Sequence, residues 1–108
     1  MPTIIKRRFG LFLTACICAE FVTEGIARYV HHLYPEMFNA YLTAFVALLC
    51  FIAFCLKHAI WKMGLMRTLA VLIWIDEVIM LSTHPGWYYG SHYLAEVALG
   101  GCVWYLSR

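Results

Sequence analysis

Five of the six acidic residues, Glu20, Glu24, Asp76, Glu77 and Glu96, stand inside long apolar runs, and their chemistry stands out first. An ionised carboxylate in hydrocarbon costs roughly 2.5 kcal/mol or more on insertion scales, so such a residue faces a protein interior or water and marks function by default. Carboxylates gathered in low dielectric cannot all stay ionised, because desolvation and like-charge repulsion both favour the neutral acid. At least one is expected to keep its proton near neutrality. Such a set can carry protons, bind a cation, or line a wet pore once subunits assemble. Its plainer use is as neutral acids hydrogen-bonded between helices, worth on the order of 1 kcal/mol each.

Spacing from the basic residues suggests where these acids lie. Glu20 is 12 residues beyond Arg8, Asp76 is 9 beyond Arg67, and Glu96 is 12 before Arg108. At helical rise these offsets are about 18, 14 and 18 Å, which predicts carboxylates from three helices at nearly one level. Glu20, Asp76, Glu77 and Glu96 are therefore the candidate ion- or proton-binding residues. Glu24 and Arg28 are four apart on the face that also carries Glu20, so they are expected to form a structural ion pair. Asp76 and Glu77 are adjacent and point about 100° apart, so only one is expected to meet the bundle axis squarely. The sequence leaves open which.

The elements that must position these residues follow from composition. The 108-residue chain is 64% hydrophobic, 17% aromatic and only 13% charged, where a soluble domain carries about a quarter charged residues. Disorder, collagen and a disulfide-stapled scaffold fail on the same figures. Four apolar runs of bilayer-crossing length nearly fill the chain, at about residues 9–30, 38–61, 65–82 and 88–106. The expected fold is all-α: a single integral-membrane domain, a four-transmembrane-helix bundle over residues 1–108. Pro35 marks the first turn, Lys57, Lys62, Arg67 and Gly64 the second, and the run from Thr83 to Gly90 the third. Asn39 is a candidate cap for the second run. Trp87 and Trp104, 17 residues apart, have the separation of two interfacial aromatic belts, about 26 Å of helix. Lys and Arg gather at the amino terminus, the second connection and the carboxyl end, so both termini are expected to be cytoplasmic, in a multi-pass protein of the bacterial inner membrane. Leu13 to Cys16 has the look of a lipoprotein cleavage box, but hydrophobicity continues past it, and the segment is expected to be retained.

Small residues show where backbones can approach. Ala15, Ala19, Thr23 and Ala27 repeat every four residues, and Glu96 shares a face with Gly100; both are small-xxx-small patterns suited to helix packing. His31, His32, His84 and His92 fall beside the two outer connections, and His58 beside Lys57 at the other side. Imidazoles can hold zinc or copper, but nothing in this spacing gathers them, so interfacial anchoring is expected and no metal or cofactor. Cys16, Cys18, Cys50, Cys55 and Cys102 form no Cys-x-x-Cys motif and read as small buried hydrophobes. Phosphate loops, nucleophile–base sets and basic nucleic-acid patches are missing, so neither an enzyme nor a nucleic-acid partner is expected.

Three functions suit such a bundle. The leading expectation is an oligomeric pore or an ion- or proton-conducting assembly, holin-like or channel-like, in which the lipid bilayer and other copies are the partners, since one protomer is too thin to enclose a large channel. The second is a small proton- or cation-coupled transporter. Ala19-Glu20 in mid-helix resembles the small multidrug resistance family, which is similar in length, has four spans and keeps an essential acid in its first helix. The resemblance covers one helix and two residues, and that family lacks acids corresponding to Asp76, Glu77 and Glu96. The third is an accessory or inhibitory subunit docked on a larger membrane complex.

Overall fold

A computed structural model describes residues 3–56 and 60–108 of the chain. Among these residues there are four helices, α1 (Thr3–Val30), α2 (Tyr34–Cys55), α3 (Lys62–Thr83) and α4 (Gly90–Leu106). Two of them, over Ile4–Val30 and Tyr34–Cys55, are long and apolar enough to cross a membrane. The helices pack in chain order, α1 on α2, α2 on α3 and α3 on α4, while α1 and α4 have little close backbone contact. The result is an elongated body of 41 × 22 × 18 Å. One end carries the α1–α2 and α3–α4 connections and is called here the hairpin end; the other carries both termini.

Several helix ends differ from the sequence expectation. Pro35 does not merely interrupt the chain: α2 begins at Tyr34 with Pro35 in its first turn, where the backbone has no intrahelical acceptor to lose. Asn39 therefore lies a turn inside α2 and caps nothing; its side-chain amide turns to Asp76. α2 ends at Cys55, short of residue 61, with Leu56 in extended backbone; Lys57 and His58 lie outside the described residues. α4 starts at Gly90, so Trp87 sits in a turn and its separation from Trp104 is not a length of helix. Trp104 instead stacks on Trp74 of α3, ring centres 6.1 Å apart.

Large apolar side chains cover much of the outside of the bundle, including Phe12, Phe38, Phe45, Ile75, Val78 and Leu94. The interior holds Ile17, Phe21, Met66, Leu69, Ile73 and Val103 together with the charged residues Arg28, Asp76, Glu77 and Glu96. Basic side chains close the terminal end. Arg7 donates to the carbonyls of Phe54 and Cys55 (2.9 and 3.2 Å), ending α2, and Lys6 donates to the Arg108 carbonyl. Arg67 lies over the Trp104 ring at 5.2 Å.

Gly100 of α4 makes room for the Trp74 ring of α3. A Cβ at this position would strike the indole of Trp74, which is held by its N–H bond to the Val97 carbonyl at 3.2 Å. Gly100→Val is expected to cost about 1–3 kcal/mol of unfolding free energy through overpacking. Gly101 has open space at its Cβ position, and Gly101→Ala is expected to be neutral or stabilising by up to about 1 kcal/mol, since Ala restricts the unfolded chain. Chemical unfolding of the two variants side by side measures the difference.

Candidate functional site

The charged interior divides into two adjoining groups. The first is built on Arg28, near the end of α1, whose side chain is fully buried. Its fork grips Asp76 of α3 in bidentate fashion, Nη1 to Oδ1 at 2.7 Å and Nη2 to Oδ2 at 3.0 Å. Arg28 also donates to the Glu36 carbonyl (2.9 Å) and to the Tyr88 hydroxyl (3.0 Å). Asn39 of α2 donates to the same Asp76 Oδ1 at 2.7 Å. Four segments thus converge on one ion pair, and planar bidentate geometry makes it a strong contact of its kind.

Glu24 lies one helical turn before Arg28, its nearest oxygen 3.6 Å from Arg28 Nε. That is ion-pair range, but too long for a hydrogen bond. Its carboxylate takes hydrogen bonds from Tyr88 and from the Trp87 indole (3.3 Å) instead. The i,i+4 neighbour expected from sequence is therefore the lesser partner of Arg28, and Asp76, 48 residues away, is the greater. Removing the Tyr88 hydroxyl leaves both Glu24 and Arg28 short of a partner. Tyr88→Phe is expected to lower stability by about 1–3 kcal/mol, read from denaturant unfolding, whereas Tyr89→Phe, at an exposed side chain, is expected to change nothing measurable.

The second group contains Glu20 of α1, Glu77 of α3, and His92 and Glu96 of α4. One ligand-capable atom from each of Glu20, His92 and Glu96 lies within 4.8 Å of the other two, with His92 Nε2 3.7 Å from Glu96 Oε1. The acids expected at one level on α1 and α4 do meet. Asp76 and Glu77 are both buried, at 1% and 5% exposure, although only one was expected to face inward. They divide the work by direction: Asp76 turns to α1 and α2, and Glu77 to the α3–α4 side. There Glu77 lines a recess of about 310 Å³ with Trp74, Val78, Leu81, Tyr93 and Val97.

Hydrogen bonding separates the groups further. Asp76 accepts three bonds and the first group leaves only Arg28 Nε without a hydrogen bond, whereas Glu77 Oε2, Glu96 Oε2 and the Tyr93 hydroxyl are buried with no partner among the described residues. Buried polar groups in native proteins are nearly always paired, so unpaired ones ask for an explanation such as a proton, an ion or water. Tyr88 joins the two groups: besides its bonds to Glu24 and Arg28, its ring stacks on His92, centres 3.8 Å apart and planes 17° from parallel.

His92, Tyr88 and Asn39 are the participants that the sequence did not place with the acids: Asn39 is expected there as a helix cap and His92 as an interfacial anchor. The i,i+4 spacing of His92 and Glu96 was available as a signal; the positions of Tyr88 and Asn39 depend on how helices meet. His31, His32 and His84 stay near the hairpin end. There His84 Nε2 is 3.3 Å from Glu36 Oε1, and His31 packs edge-on to Trp87. Compared with known protein families, curated proteins and solved structures, the chain matches none.

Proposed function

We propose that this chain is an integral membrane protein that crosses the bilayer four times with both termini cytoplasmic, and that it moves protons or small cations through the acids inside each protomer. The observation that carries the reading is the meeting of the half-buried Glu20 with the buried Glu96, beside the buried Glu77, the latter two each holding an unpartnered oxygen. Arg28 is the only Lys or Arg among the described residues within ion-pair distance of the five acids, and Asp76 already occupies its fork. The remaining carboxyls favour a mobile positive charge there, a proton or a cation.

The distribution of side chains supports the membrane setting. Apolar residues outside and charges inside suit hydrocarbon, and an apolar exterior of this extent in water would promote aggregation. Basic residues at the terminal end (Lys6, Arg7, Arg8, Lys62, Arg67 and Arg108) suit the cytoplasmic leaflet and a bacterial inner membrane. Burial of Glu77 and Glu96 within one chain favours conduction or coupled exchange inside the protomer over a pore lined between subunits. Self-association remains part of the proposal, with the exposed Ala15, Ala19 and Thr23 on α1 as the face where a second copy packs closely.

The test is flux in proteoliposomes. Purified protein is reconstituted with an internal pH-sensitive dye, and a potassium diffusion potential is imposed. Proton or cation entry well above that of protein-free vesicles is the expected result. Equal rates in both, for protons and for small monovalent cations, would reject conduction and leave a scaffold or accessory role.

A further inference from the structure

We propose that Glu20 of α1 with His92 and Glu96 of α4 forms a binding site for one divalent transition-metal cation, zinc being the best matched. Three donors of two kinds, an imidazole nitrogen and two carboxylates, already lie within 4.8 Å of one another. Around a zinc ion with bonds of about 2.1 Å, neighbouring ligand atoms stand about 3.4 Å apart. His92 Nε2 and Glu96 Oε1 are at 3.7 Å, so closing the set onto an ion needs only small side-chain movements. One imidazole with two carboxylates suits zinc and its first-row neighbours better than magnesium or calcium, which take oxygen donors throughout.

A second, independent feature points to a ligand. Glu96 is 4% exposed, and its Oε2 has no hydrogen-bond partner. Its other oxygen, Oε1, is 3.7 Å from His92 Nε2, and one of its carboxylate oxygens lies within 4.8 Å of a Glu20 oxygen, so the buried side chain that reaches the other two donors also carries an unsatisfied acceptor. Charge agrees with this, because Asp76 neutralises Arg28 and no Lys or Arg among the described residues pairs with Glu20 or Glu96. His92 is also pre-positioned: its ring stacks on Tyr88, which is tied in turn to Glu24 and Arg28, and fixing a ligand through its neighbours raises metal affinity.

The location gives the ion a structural consequence. α1 and α4 have little close backbone contact and are joined near the hairpin end by side chains. A cation shared by Glu20 and the α4 pair would clamp them together. This inference stands on side-chain geometry and does not depend on conduction.

The experiment uses the full chain purified in mild detergent and stripped of metal with a chelator. Titration with Co2+ is expected to produce a visible ligand-field absorption, displaced by Zn2+. Calorimetry with Zn2+ is expected to show a single site per chain and a raised melting temperature. His92→Gln and Glu96→Gln are each expected to weaken Zn2+ binding by more than roughly 100-fold, since even partners outside the ligand sphere are worth 10–100-fold. The double variant His31→Gln/His32→Gln is expected to bind as the wild type does. Wild-type protein without a Co2+ absorption overturns the proposal with no need for any variant to fold. So does undiminished Zn2+ affinity in His92→Gln, which would place the metal elsewhere. Metal binding without flux sinks only the conduction reading, and flux without metal binding sinks only this one.

Discussion

Asp76→Ala is expected to destabilise the protein by about 3–5 kcal/mol, the cost of leaving a buried charge uncompensated. Arg28 is fully buried and gives two of its hydrogen bonds to this one carboxylate. Without it, the guanidinium keeps the Glu36 carbonyl, the Tyr88 hydroxyl and a Glu24 oxygen at 3.6 Å. None of these replaces the bidentate contact, and Asn39 loses its acceptor as well. Removing both charges together should cost much less, because a buried pair is often replaceable by apolar residues of similar volume. The double variant Arg28→Met/Asp76→Leu is therefore expected to recover most of the loss. Reversible unfolding in a mixed-micelle denaturant series, run as a double-mutant cycle, measures the coupling. A cost below about 1 kcal/mol for Asp76→Ala would mean that water reaches Arg28 and that the pair behaves like a surface one.

Glu96→Gln is expected to abolish most ion movement while leaving the fold in place. Glutamine matches the shape of the protonated acid and can donate a hydrogen bond toward Glu20, but it cannot release a proton. A fall in proton flux of about 100-fold or more is expected, the lower end of what a positioned acid or base contributes to proton transfer. Glu77→Gln is expected to act in the same direction, since Glu77 is also buried with a free oxygen. Glu24→Gln, whose carboxylate is occupied by Tyr88 and Trp87, should change stability more than flux. The proteoliposome assay separates these outcomes. Wild-type flux in both Glu96→Gln and Glu77→Gln would assign the acids to helix packing alone.

Much of the architecture could be read along the chain. The number of helices and their approximate extents follow from four apolar runs separated by Pro35, by the Lys57 to Arg67 segment and by the His84 to Gly90 turn. These signals are local: backbone hydrogen bonding within a helix depends on residues a turn apart. Errors occurred where a local signal had two meanings. A proline can end a helix or occupy its first turn, and Pro35 does the latter. An asparagine near a helix start can cap it or reach a neighbour, and Asn39 reaches Asp76.

Residue type alone drew attention to the acids, because a carboxylate in an apolar run is costly wherever it ends up. It also set Glu20, Glu24 and Arg28 on one face of α1, since 3.6 residues per turn leaves no other arrangement. Which acid Arg28 holds was decided by tertiary structure. Glu24 is adjacent along the helix, but Asp76 presents both oxygens to the planar fork from across the bundle, and directed hydrogen bonds in low dielectric favour that geometry over proximity in sequence. The same holds for His92, an ordinary boundary residue until α4 sets it against Glu20. Helix number and inward-facing acids are written in short-range pattern, whereas the sorting of those acids into one paired with Arg28 and others left open depends on where four helices come to rest.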